Sequence, residues 1–192
     1  MRKQLYSLLK PADMHRQQIN IIGNNLAMGR SSELHTILEK NGFSLKDICT
    51  CRDFGEYEAR ASSRLNLVTN PLGRPAAKEL SERLGQEWVY LPVSYDWEQI
   101  REHWKCLSDL LELDFNAVWK DGELDQLWQK AETALETLAR KLEGWSVAID
   151  YTVSSRPLGM ARLFVKCGFR VERIYADTIS PEEEGRLAWR KE

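Results

Sequence analysis

A chain of 192 residues has room for one large α/β domain, or one domain joined to part of another. With 43% hydrophobic and 29% charged residues it can bury a core, and its net charge of −2, without a basic stripe, argues against nucleic-acid binding. No apolar run approaches membrane-spanning length, and four cysteines without a repeating spacing fit a reducing cytoplasm better than a disulfide framework.

Residues 1–18 are polar, and Pro11 breaks any helix begun at Leu5, Leu8 and Leu9, so they read as an N-terminal arm. Residues 19–22, three of them isoleucine, are a short buried-strand signal that Gly23 stops. Gly29-Arg30-Ser31-Ser32 then opens a helix with a serine placed to cap it. Leu34, Ile37 and Leu38 share one face of that helix, and Asn41-Gly42 ends it. Strand, glycine loop and helix make the opening of a βαβ unit. A second strand is expected at 44–50, a short helix at 54–61 and a third strand at 65–69. Asn70-Pro71-Leu72-Gly73 reads as a turn, followed by a helix from Pro75 to Leu84 that Gly85 closes, and a fourth strand at 88–91. Strands alternating with helices at this spacing predict a Rossmann-like, three-layer parallel α/β sheet over residues 19–92.

The pattern changes at Asp96, which forms a capping box with Gln99. Trp97, Ile100, Trp104, Leu107 and Leu111 recur at helical spacing, and Leu124, Trp128, Ala131, Leu135, Leu138 and Leu142 do so again. These two stripes predict a helical hairpin over 93–143, with Trp97, Trp104, Trp119 and Trp128 as its packing anchors. At Gly144 the βαβ pattern restarts, with a strand at 147–150, a helix at 157–167 and a strand at 169–175. Ser180 and Glu183 cap a final short helix. Residues 144–192 thus read as a partial second Rossmann-like domain. Two parallel strands bury too little to stand alone. The chain is therefore expected to be a fragment, or to complete this sheet with a partner. An open strand edge makes a two-fold homo-oligomer the expected form.

Ligands of open α/β sheets sit outside the carboxyl ends of the strands. The loop at 23–29 is neither G-x-G-x-x-G nor a phosphate loop. Two readings stand side by side: Asn24, Gly29, Arg30 and Ser31 hold an anion, with the N–H groups of residues 30–33 contributing, or the segment is a tight turn and helix cap. Asp150 and Ser154-Ser155-Arg156 repeat the arrangement at the second strand start, where Arg156 holds a carboxylate or phosphate or lies on the surface. Cys49 and Cys51 lack a second Cys or His pair at metal-ligand spacing. Cys106 and Cys167 read as core, and His15, His35 and His103 stand alone. No cofactor or metal is expected in the isolated chain, and no catalytic residue stands out.

Residues 19–23, the helix ending near Gly42, Leu65-Asn66-Leu67-Val68, Glu82-Arg83-Leu84-Gly85 and the passage Leu142-Glu143-Gly144-Trp145-Ser146-Val147 resemble nitrogenase component 1-like oxidoreductases, in their middle domain and the start of their third. The resemblance implies three Rossmann-like domains per subunit, iron–sulfur or other metal cofactors in the full assembly, a partner subunit and electrons from a separate iron–sulfur reductase. It also implies that this chain lacks the first domain. Catalytic-type subunits place a cofactor-ligating cysteine just after the third strand, and the matching position here is Asn70. The expectation is a divergent, electron-transfer type member without cluster ligands of its own. The alternatives are a Rossmann-like module for a small anionic ligand and a cofactor-assembly scaffold without redox activity.

Overall fold

The computed structural model describes residues 5–24, 26–177 and 179. They divide into two compact units, Met1–Pro92 and Val93–Glu192.

In the first unit, β1 (His15–Ile22) is buried from Gln18 onward. It leads to α1 (Glu33–Lys40), whose cap is Ser32, the Oγ accepting from the His35 N–H at 3.3 Å. Then come β2 (Ser44–Asp47), a tight turn, α2 (Phe54–Glu58), β3 (Ser63–Val68), α3 (Arg74–Leu84) and β4 (Glu87–Tyr90). The four strands form one sheet in the order β2-β1-β3-β4, every neighbouring pair parallel, as the alternation of strand and helix signals predicts.

Several boundaries shift from expectation by a few residues, and two of the shifts have a clear physical cause. The second strand stops at Asp47 instead of running to residue 50, because the Asp47 carboxylate accepts from the Cys49 N–H at 2.9 Å and curls the chain into a turn. The expected arm at 1–18 is not separate from the sheet. β1 begins at His15, and Tyr6 and Leu9 are buried in the core. Arg83 holds this segment down by donating to the carbonyls of Tyr6 and Leu9. Apolar side chains at 6 and 9, with a guanidinium to satisfy the carbonyls, outweigh the polar residues around them.

Ile22 and Val68 face a cluster made by Tyr6, Leu9, Ala61 and the α3 residues Ala76, Ala77 and Leu80. Strand alternation turns Ile19, Ile21, Leu65 and Leu67 to the opposite face, where they are also buried. An amide ladder lies across the sheet. Asn20 Nδ2 donates to Asn66 Oδ1 at 2.9 Å, and Asn66 Nδ2 donates to Gln86 Oε1 at 3.1 Å. The free ends of the ladder donate to the carbonyls of Arg60, Ala61 and Ser63, pinning the crossover before β3 and pairing carbonyls that burial would otherwise leave unsatisfied.

The second unit contains α4 (Trp97–Leu110), α5 (Phe115–Val118), α6 (Glu123–Lys141), β5 (Ser146–Asp150), α7 (Pro157–Lys166) and β6 (Arg170–Tyr175). Asp96 caps α4 through the Gln99 N–H. Trp97 stacks on Trp128 with ring centroids 5.6 Å apart, and Trp104 meets Trp119 edge-on at 5.0 Å, so tryptophans do anchor this helical packing. β5 and β6 form a parallel pair. Cys167 and Phe169 pack with Ala139 of α6. The cap expected at Ser180 and Glu183 lies outside the described residues. Among the described residues, no helix is long and apolar enough to cross a membrane.

Candidate functional site

The chain leaves β1 toward β2 on one side and returns to β3 on the other, so the crevice between the ends of β1 and β3 is a topological switch point. Backbone fills it. Gly23 has φ +104°, and a Cβ there would meet the Asn70 Cβ and carbonyl oxygen at 3.1 Å. A Cβ on Gly73 would meet the Gly23 Cα and the Ile22 oxygen at 3.0 Å. Thr69 N–H donates to the same Ile22 oxygen. The Asn70 side chain is turned to its own chain, its Oδ1 accepting from the Leu72 N–H at 3.0 Å to start a single turn at Pro71–Gly73.

Asp47 organises the loop that follows β1. Its Oδ2 accepts from Asn24 Nδ2 at 2.7 Å and from the Met28 N–H at 3.0 Å. Asn24 thus serves an anion that the protein itself supplies, and it also donates to the Leu26 carbonyl. Sequence reading did not single out Asp47. Its available signal was an acidic residue at the end of a strand expected to lie beside β1. Gly29, Arg30 and Ser31 are exposed. Arg30 lines a cleft of about 320 Å³ with Lys46, Asp47, Cys51, Arg52 and Glu56. Within it, Arg52 Nη2 approaches Glu56 Oε1 at 2.6 Å and the Arg52 N–H donates to Glu56 Oε2. These bonds hold the Glu56 carboxyl below the usual range.

Arg60 is the second residue that sequence reading missed. It is fully buried, yet it has no hydrogen-bonded carboxylate. Nη2 donates to the Ile21 carbonyl at 3.2 Å, the guanidinium lies 5.5 Å from the Tyr6 ring centroid, and Nε and Nη1 have no hydrogen-bond partner. Burial raises the Tyr6 hydroxyl pKa, and Arg60 opposes the shift. At Cys49, burial and then Asp47 raise the thiol pKa, again against Arg60.

Arg156 belongs to the second unit and is buried. Its Nη1 donates to the Val93 carbonyl at 2.9 Å and to Gln99 Oε1 at 3.1 Å. Ser154, next to it, accepts from the Arg156 N–H and bonds the Tyr95 hydroxyl. Of the sequence candidates, Asn24, Gly29, Arg30 and Ser31 share one loop, Asn70 packs on the Gly23 at its base, and Arg156 ties together its own unit.

A parallel sheet with this strand order, followed by helices and a further βαβ unit, defines a Rossmann-like α/β protein. The chain belongs to the nitrogenase component 1 type oxidoreductase family, whose profile matches residues 1–192. It is similar to a structure of nitrogenase Cp1 at pH 6.5, with TM-score 0.61 and 16% identity over 91% of this chain and 35% of that one. A structure of nitrogenase Cp1 at pH 5 matches with TM-score 0.60 and 17% identity over 95% of this chain and 39% of that one. The chain therefore spans less than two-fifths of the length of these neighbours. No curated protein matches it.

The family implies metal clusters, and among the described residues the donors of this chain do not by themselves group into a site for one. Cluster ligation takes several thiolates converging on one site. Cys49 and Cys51 lie on the turn after β2, Cys106 is on α4 and Cys167 follows α7. Among the described residues, no three His, Cys, Asp or Glu side chains group to hold a metal ion. At the end of β3 stands an amide, Asn70, already engaged in capping.

Proposed function

We propose that this chain serves a nitrogenase component 1-type oxidoreductase as a part that ligates no cluster of its own, with cofactors and reductase contacts supplied by other domains or subunits. The observation that supports this reading is the end of β3, where an amide, Asn70, stands with its Oδ1 capping a turn and its Cβ packed on Gly23. A soft-metal donor there would need a thiolate in place of this amide. The β5–β6 pair supports association with a further chain, since each strand has a neighbour on one side only among the described residues. Self-association is the form we expect.

Anaerobic reconstitution with iron and sulfide, followed by metal analysis and visible absorption, tests the reading. Substoichiometric iron and no charge-transfer band are expected, together with concentration-dependent dimerisation in sedimentation. Stoichiometric iron with a band that disappears in Cys49→Ser would overturn the cluster-free assignment. A monomer at every concentration would remove the self-association.

A further inference from the structure

We propose that the cleft beside β2 binds a compact dianion, bearing phosphate or two carboxylates, through Arg30, Lys46 and Arg52. The three cations come from three separate segments: the loop before α1, the strand β2 and the turn before α2. A solvated run of charge would keep its members on one element. Here the fold gathers them around one cavity of about 320 Å³. That volume lies at the small end of ligand pockets, about 300–1,000 Å³, which sets the ligand size.

The carboxylates in the same cleft offset part of this charge but already have partners within the protein. Asp47 receives the Asn24 amide and the Met28 and Cys49 N–H groups, and Glu56 is engaged by Arg52. Three cations against two carboxylates leave the cleft with one net positive charge, and a phosphate or a dicarboxylate has enough oxygens to reach all three donors at once. Arg60, in the crossover before β3, is a buried cation whose charge acts on the Cys49 thiol. A charge so placed is poorly screened and adds to the positive potential. The α1 terminus contributes little, because Glu33 occupies its first turn and Ser32 already caps it. The proposal stands apart from the cluster-free assignment and holds whether or not iron binds.

Titration of the whole chain with inorganic phosphate and, separately, with malonate tests it, read by amide chemical shifts and calorimetry. Saturable binding of either probe, with Kd on the order of 1 mM and shifts at residues 29–32, 46 and 50–52, is expected. Comparing the two probes tells phosphate from dicarboxylate. The double substitution Arg30→Gln, Lys46→Gln should weaken binding by about tenfold or more, while Arg101→Gln, on an exposed arginine of α4, should leave it unchanged. Glu56→Gln supplies a test that misfolding cannot imitate: it releases Arg52 and should tighten binding by about threefold. Absence of saturation by both probes, or affinity unmoved by the double substitution and by Glu56→Gln, overturns the site.

Discussion

Gly73→Ala probes how the ends of β1 and β3 are packed. Gly73 has φ −82°, which any residue adopts, so the substitution adds volume without backbone strain. The new Cβ would stand 3.0 Å from the Gly23 Cα, 3.0 Å from the Ile22 oxygen and 3.1 Å from Val68 Cγ1. Carbon contacts are comfortable at about 3.5–4.0 Å, so roughly half an ångström must be found. Two of the three neighbours are backbone, and the Ile22 oxygen also accepts from Thr69, so β1 and β3 must part to provide it. Overpacking of this kind costs about 1–3 kcal/mol, and we expect about 2. For a chain of 192 residues that corresponds to a fall in Tm of about 4–8 °C. Gly85→Ala is the companion. Nothing lies within 4 Å of a Cβ there, but φ is +69°, so its cost of about 1 kcal/mol is conformational alone. Both are measured by thermal and urea unfolding followed by circular dichroism. A Gly73→Ala cost below about 0.5 kcal/mol, or below that of Gly85→Ala, would refute the packing argument.

Arg60→Met replaces a buried cation lacking a hydrogen-bonded carboxylate with an apolar chain of similar length; stability should be unchanged or higher, and a urea-unfolding loss above about 2 kcal/mol would show that the guanidinium is better compensated than its contacts indicate. Cys49 is exposed but its thiol pKa is raised by burial and by Asp47, so less thiolate exists at neutral pH. Its alkylation by iodoacetamide at pH 7 should be slower than that of an unperturbed thiol and should climb only above the ordinary thiol range; an equal or faster rate would count against the shift. The folded thiol stays neutral where the unfolded one ionises, so its contribution to stability is present at neutral pH and is lost as pH rises through the raised value.

Much of the fold is written in short-range signals. The isoleucines of β1, the Ser32 and Asp96 caps and the left-handed Gly85 act on neighbours within about four residues, where sequence specifies geometry directly. The alternation of such signals was enough for a parallel sheet. Long-range pairing decided the rest. Asn24 lies 23 residues from Asp47, Tyr6 lies 77 from Arg83, and Val93 lies 63 from Arg156. Nothing local distinguishes an arginine aimed at a carbonyl from one in solvent, so Arg156 left two readings open, and Arg60 drew no attention at all. The polar stretch before His15 likewise contained two apolar side chains whose burial depended on α3 arriving beside them. The sequence by itself determined which segments become strands and helices, because periodicity and caps are local. Only the tertiary structure decided which charges meet and which are buried, because those energies depend on distances that folding alone creates.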